Sequence, residues 1–211
     1  MGKIIDAIQQ NGFVINKLKM SRFNAKSVTG FYAEHKDKSF FPDLKAFMTS
    51  DVTIGMELVA QDAVAKWRQV IGPTDSNRAR EQAPESLRAI FGTDGSKNAL
   101  HGADSVGSYK RELDFWFGGD EPEARPLQTT AVLNNCTLCL IKPHILKNGQ
   151  AGQVIDFILG QGFEISAIEM FQLSRAVIEE FYCVYKNVIP EYLPIIENFT
   201  SGPVLALEVR Q

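Results

Sequence analysis

Cysteine is scarce, with three in 211 residues. A secreted fold would more often pair its thiols, so the shortage points to a reducing, cytoplasmic setting. Cys136 and Cys139 have the spacing of half a metal site, but no second pair completes one. On a strand their side chains point to opposite faces, and both read as buried thiols. Long apolar runs are also missing, and none reaches membrane-spanning length. The opening Met-Gly-Lys-Ile-Ile-Asp lacks a signal-peptide pattern. Neither sign of charge dominates. The net charge of -3 provides no broad basic surface, so nucleic acid is not an expected partner. What remains is ordinary for a soluble globular chain, long enough for one large or two small domains.

The sequence repeats itself. Residues 2–32 and 152–182 align without a gap at an offset of 150. Gly2, Ile5, Asp6, Ile8, Gly12, Phe13, Ile15, Met20, Phe31 and Tyr32 match their counterparts from Gly152 to Tyr182. A register held this long marks two copies of one module. Each copy opens with a helix carrying Ile4, Ile5 and Ile8, or Val154, Ile155 and Ile158, on one face. Gly12 or Gly162 closes it. A strand follows near 13–20 or 163–170, then a helix ending at Phe31-Tyr32 or Phe181-Tyr182. Residues 52–58 alternate as a strand, with 203–209 as their counterpart.

Beyond these shared elements the copies part. In the first, a helix bearing Ala63, Val64, Trp67, Val70 and Ile71 is closed by Gly72. Residues 73–97 read mostly as loop, with a short helix near 84–91. Residues 118–130 have linker composition. Thr137 to Lys142 is a strand that opens the second copy, and the first has no counterpart of it. Thr200-Ser201 matches Thr49-Ser50 at an offset of 151, so the second copy stops before any counterpart of the Trp67 helix. Both modules are therefore expected to be incomplete: 1–117 and 131–211, joined by 118–130.

The stretch Asn98-Ala-Leu-His101-Gly-Ala-Asp104-Ser105 precedes a helix in which Leu113, Trp116 and Phe117 recur at helical spacing. Asp104 or Ser105 can cap that helix. Asn98 to His101 is short and partly apolar, which suits a strand edge and puts His101 at a strand-to-helix junction. Glu112 lies one or two turns into the helix and can reach back to the imidazole. A carboxylate there would fix the tautomer and make the other ring nitrogen the better nucleophile. Taken alone, a His near a helix start is more often a packed or capping residue.

The whole string N-x-x-H-G-x-D-S, with a Glu eleven residues after the His, resembles the active-site signature of the nucleoside diphosphate kinases. Ala103 departs from it, since the family usually has Ser there. The resemblance covers nearly the whole chain outside the linker and is strongest to the tandem, two-kinase-domain members. It implies an α+β fold: two tandem ferredoxin-like modules, each an antiparallel sheet with helices. It also implies that His101 is the nucleophile that takes the γ-phosphate, with Glu112 orienting it. By the same resemblance Tyr32 lies near the phosphates, Phe40 stacks on the base and Leu44 lines the same slot. Arg68, Thr74 and Arg88 match phosphate-binding residues, and Asn98 matches a ribose and phosphate contact. In the second module Lys142 and Tyr182 match nucleotide-binding positions, although His144 replaces the Asp of Lys-Pro-Asp.

The chemistry suits these residue types. Phosphoryl transfer requires cations around the equatorial oxygens and an in-line nucleophile. Two arginines offer forked contacts, and stacking on Phe40 is indifferent to which base is bound. Mg²⁺ is expected to arrive with the nucleotide. The implied partners are nucleoside triphosphates and diphosphates. A rival implication is a scaffold at centrosomes and ciliary microtubules. One further expectation concerns Thr137 to Lys142, which could instead serve the first module by pairing with 52–58. A pairing with 203–209 would refute that composite.

Overall fold

The computed structural model describes residues 1–118 and 127–211, so residues 119–126 of the expected linker lie outside the described part. Along the chain come α1 (Gly2–Gln10), β1 (Val14–Arg22), α2 (Ala25–Phe31), α3 (Phe41–Met48), β2 (Val52–Val59) and α4 (Ala63–Ile71). They are followed by α5 (Ser76–Gln82), α6 (Leu87–Phe91), α7 (Val106–Phe117), β3 (Cys136–Ile141) and α8 (Pro143–Lys147). The last are α9 (Ala151–Gly160), β4 (Glu164–Phe171), α10 (Arg175–Phe181), α11 (Tyr192–Thr200) and β5 (Val204–Arg210). Gly12 and Gly162 take φ of 71 and 84, the left-handed turn that ends a helix and that glycine adopts without strain. Among the described residues no helix is long and apolar enough to cross a membrane.

By contact the chain divides into two compact units that cut across the repeat boundaries. One unit comprises Met1–Gln10, Lys17–Met20 and Thr130–Gln211; the other comprises Asn11–Asn16 and Ser21–Thr129.

The strands of the first unit run antiparallel in the order β1-β4-β5-β3. β3 pairs with β5 along its length, from Cys136 opposite Arg210 to Ile141 opposite Leu205. That pairing refutes the composite in which residues 137–142 serve the first module. With neighbours on both sides, β5 is buried on both faces. Ile178, Tyr192, Ile196, Phe199 and Val204 form the unit's apolar cluster. A bulge at Ser166 in β4 aims its hydroxyl at Glu208 of β5, 2.6 Å away. Glu208 also accepts from the Val132 and Leu133 amides, both at 2.8 Å, which fastens the lead-in to β3. These donors hold its carboxyl at about 2, far below its ordinary value.

The same unit holds a contact between like positions of the two repeats. Lys19 of β1 faces Glu169 of β4, and the two lie 150 apart. α1 packs on α9, where Gly2 lies against Gly152 and Asp156, and Gly152 against Asp6. A Cβ on either glycine would collide with the opposite carboxylate and carbonyl. Position i meeting its own repeat counterpart is the mark of an isologous, twofold contact.

In the second unit β2 lies beside the flanks of β1, and Asn16 donates to Glu57 across them at 2.9 Å. Asn24 caps α2 with a full capping box. Phe23, Val28, Trp116 and Leu127 form the core, with Phe31, Tyr32, Met48 and Phe115 packed on it. Gly55 admits the Trp116 indole onto β2, where a Cβ would overlap the ring.

Three expectations need correction. Residues 73–97 hold the expected short helix, α6, and also an unexpected one, α5, because Asp75 caps α5 through the amides of Asn77 and Arg78. Asn98 to His101 is no strand. Ala99 sits at φ of 67, and the Leu100 amide donates back to the Asn98 carbonyl at 2.8 Å, a tight turn that breaks extension. The cysteines of β3 are not buried: Cys136 is exposed and Cys139 half-buried.

Candidate active site

The backbone on either side of His101 is pinned at three successive residues. Arg88 donates through Nε and Nη2 to the Leu100 carbonyl at 3.1 and 2.9 Å. The Trp67 indole donates to the His101 carbonyl at 3.2 Å. Gly102 packs so closely on Trp67 and Ile71 that no side chain fits there. With its backbone fixed, His101 presents its ring from a rigid base, the condition for a positioned nucleophile.

The ring is fixed in turn. Nε2 lies 2.9 Å from Glu112 Oε2 of α7. An ionised carboxylate only accepts, so the proton of this bond sits on Nε2, and in the neutral ring the lone pair is then on Nδ1. Glu112 is the less exposed partner, at 17% against 46% for His101. Phe31 and Tyr32 flank the imidazole, with ring centroids at 5.6 and 6.0 Å, both edge-on. Burial first, and the Glu112 charge second, push Tyr32 up to about 12. Its hydroxyl therefore stays protonated as a donor, directed towards Met48 Sδ at 4.0 Å.

α7 is placed by its own cap. Ser105 accepts from the Ser108 amide at 3.2 Å, and Ser108 Oγ donates to Asp104 at 2.7 Å. Both candidate caps are thus in use, and the helix register that brings Glu112 to His101 follows from them.

The other sequence-derived residues fall into two groups. Tyr32 adjoins the imidazole, while the exposed Arg68 acts electrostatically on Arg88 and Asp104 of the same unit. Asn98 Nδ2 donates to the Thr74 carbonyl at 3.1 Å, so these two positions share one loop closure. Phe40 is 47% exposed, with His35 at 5.8 Å, and Leu44 lies one turn along the same helix. A free aromatic face beside a partly buried Leu is what a stacking slot needs. Arg88 differs from the expectation of a free phosphate ligand. It is buried, and Nε, Nη1 and Nη2 all donate to the carbonyls of Leu100 and Gly72. Burial and Arg68 both lower its pKa. Lys142 and Tyr182 belong to the other unit. There Lys142 lies over the Phe199 ring at 5.5 Å, and Tyr182 lies 5.4 Å from that ring. Tyr192 is buried in that unit's core and offers no stacking face.

Trp67 and Phe31 were not expected in the site. Both carried only a helix-face or repeat signal, and nothing in the local sequence shows that Trp67 grips a carbonyl 34 residues on. Among the described residues no group of three His, Cys, Asp or Glu side chains could hold a metal ion.

The family model described as nucleoside diphosphate kinase matches residues 1–122 and 135–211. The chain is 42% identical to nucleoside diphosphate kinase homolog 7 of Rattus norvegicus, over all of this chain and 53% of that protein. It is 46% identical to the nucleoside diphosphate kinase of Aquifex aeolicus over 57% of this chain and 85% of that one. The chain thus spans about half the length of its homolog 7 relatives. A crystal structure of the Aquifex enzyme superposes with a TM-score of 0.55 at 45% identity, covering 56% of this chain and 84% of that one. The Halobacterium salinarum enzyme, solved in complex with CDP, gives 0.53 at 32% identity over 57% and 79%.

Proposed function

This chain belongs to the nucleoside diphosphate kinase family, and we propose that it transfers a phosphoryl group between nucleotides through His101. The observation that carries the reading is the 2.9 Å bond from His101 Nε2 to Glu112. It leaves Nδ1 as the nucleophile. Nδ1 attacks the γ-phosphorus of a nucleoside triphosphate in line. The bond from that phosphorus to its bridging oxygen breaks, and the nucleoside diphosphate leaves with the electron pair. The charge gained by the phosphorylated ring is balanced by Glu112. In the return step a terminal oxygen of another nucleoside diphosphate attacks the phosphorus, and the electron pair returns to Nδ1. Arg68 supplies positive charge to the phosphates, Tyr32 a protonated hydroxyl, and Phe40 with Leu44 the base slot. Thr74 and Asn98 close the loop around the phosphates. Arg88 serves mainly by holding Leu100, a role its hydrogen bonds favour. Mg²⁺ enters on the nucleotide and neutralises phosphate charge when bound. Lys142 and Tyr182 are read as the second module's nucleotide positions.

The test is incubation with γ-labelled ATP. Label should be acid-labile, sit on His101, and chase onto added nucleoside diphosphate. The His101→Gln chain should carry none. Label persisting in that variant overturns the assignment.

A scaffold role at centrosomes and ciliary microtubules is the second reading. Arg88 favours it, since three of its five N–H donors hold backbone carbonyls, a structural use of the residue. Under this reading Arg68→Ala removes nucleotide binding and leaves any microtubule association intact.

A further inference from the structure

Residues 92–101 are held by their carbonyls in two stretches. The later stretch carries the nucleophile, with Leu100 held by Arg88 and His101 by Trp67. The earlier stretch is held by α5. Arg80 donates through Nη1 to the Gly92 carbonyl at 2.9 Å and through Nη2 to the Thr93 carbonyl at 3.0 Å. The buried Ser76 hydroxyl donates to the next carbonyl, that of Asp94, at 3.0 Å. Nη2 also reaches Asn77 Oδ1 at 2.8 Å, one turn back on α5, which aims the guanidinium at the loop.

The loop beyond those carbonyls closes on itself. Asp94 accepts from the Ser96 and Lys97 amides at 2.8 and 2.7 Å, and the Thr93 amide donates to the Lys97 carbonyl at 2.7 Å. Asn98 is the exit. Its Nδ2 donates back to the Gly95 carbonyl at 3.3 Å and across to the Thr74 carbonyl at 3.1 Å, just before α5 begins. Gly92 lies so close to Ser76 that a Cβ there would overlap its hydroxyl.

We propose that Arg80 is a positioning residue for the nucleotide: from α5 it straps the loop that sets Asn98 and Thr74 at the phosphates. This role rests on the proposed phosphoryl transfer. A guanidinium forked over two adjacent carbonyls is a directional, charge-assisted clamp. The two stretches then divide the work. Arg88 and Trp67 set the nucleophile, while Arg80 and Ser76 set the residues that receive the nucleotide. Loss of the strap weakens binding and leaves His101 pinned. Arg80 is itself exposed, so its truncation leaves the core intact.

The test measures ATP affinity and His101 labelling separately in the full chain. Arg80→Ala should raise the Kd for ATP about tenfold, with labelling at saturating ATP within about twofold of the native rate. Without nucleotide, exchange of the Thr93, Ser96 and Lys97 amides should quicken in the same variant. Arg80→Lys keeps the charge without the fork and should recover only part of the affinity; full recovery would make charge the cause and overturn the strap. Arg78→Ala removes the same charge from the same helix and should change neither measurement. An equal loss there overturns the strap as well. A double variant decides the route. If Arg80 acts through Asn98, Arg80→Ala combined with Asn98→Ala binds no more weakly than Asn98→Ala alone. Losses that multiply overturn the positioning role, and so does quickened exchange with unchanged affinity. If the native chain binds ATP without labelling His101 while Arg80→Ala still weakens binding, the strap stands and the kinase reading falls. If His101 is labelled and Arg80→Ala binds ATP normally, the kinase reading stands and the strap falls.

Discussion

Tyr32 and Tyr182 hold the same place in the two repeats, yet their neighbours differ in kind. Tyr32 faces Phe31, His101 and Met48, and the Glu112 charge adds to the burial that raises its pKa. Tyr182 faces Phe181, Tyr185 and Phe199, with Lys142 over the same Phe199 ring. One tyrosine has an imidazole and a carboxylate acting on it; the other has a cation over its aromatic neighbour. The shared frame of helix, strand and helix supports both. What distinguishes them is the chain that reaches each: His101 and Glu112 act on Tyr32, and Lys142 beyond the end of β3 lies over the Phe199 ring that Tyr182 faces. Repetition of a frame does not by itself repeat a site, which depends on loops and helices brought in from elsewhere.

The sharpest way to break this comparison is to remove the acid. Glu112→Ala should slow phosphorylation of His101 by about 10²-fold, the scale for losing one preorganised partner of a reacting group. Nucleotide affinity should stay within about twofold, because the carboxylate acts on the ring and not on the ligand. Equal losses in rate and affinity would make Glu112 part of the scaffold.

The clamp on Glu208 gives a smaller, pH-dependent effect. Its folded pKa is about 2 against an ordinary 4.5, so its stabilisation is fully present above 4.5 and lost as pH falls towards 2. Glu208→Gln should lower Tm at neutral pH by about 4–8 °C, from about 2 kcal/mol of charge-assisted hydrogen bonding. The two melting curves should converge near pH 2. Glu57, at the same place in the first repeat, binds Asn16, so Glu57→Gln measures the same carboxylate without the β3 lead-in. A Tm loss as large from Glu57 would show that the clamp is not what makes Glu208 matter.

Much of this was readable in the sequence. The repeat gave helix and strand order because Ile5, Ile8, Ile155 and the closing glycines carry local, periodic signals. The pairing of His101 with Glu112 came through the motif. The tight turn at Ala99 did not, since nothing in Asn-Ala-Leu-His demands a positive φ; the carbonyls just after it are held by Arg88 and Trp67 from distant helices. Nor was the β1–β4 pairing visible, because a strand does not encode its neighbour. A signal did exist: Gly2 and Gly152 each precede an aspartate by four residues, and the structure uses both pairs where the helices cross.

That crossing yields the smallest expected effect. Asp6 is partly buried, one of its oxygens lacks a hydrogen-bond partner, and its pKa is raised by burial first and by Asp156 second; the Gln153 amide acts the other way. For an acid whose folded pKa is raised, the protonated form fits the fold better. The resulting penalty is absent well below the ordinary 3.8, grows as pH climbs through the raised folded value, and is complete at neutral pH. Asp6→Asn keeps an acceptor for the Gln153 amide and removes the charge facing Asp156. It should raise Tm at pH 7 by about 1–3 °C, corresponding to about 0.5 kcal/mol or slightly more. The gain should vanish near pH 3, where wild-type Asp6 is itself protonated. A loss of Tm at neutral pH would mean that the carboxylate's bond to the start of α9 outweighs its repulsion, and that the twofold contact is held together by its acids rather than despite them.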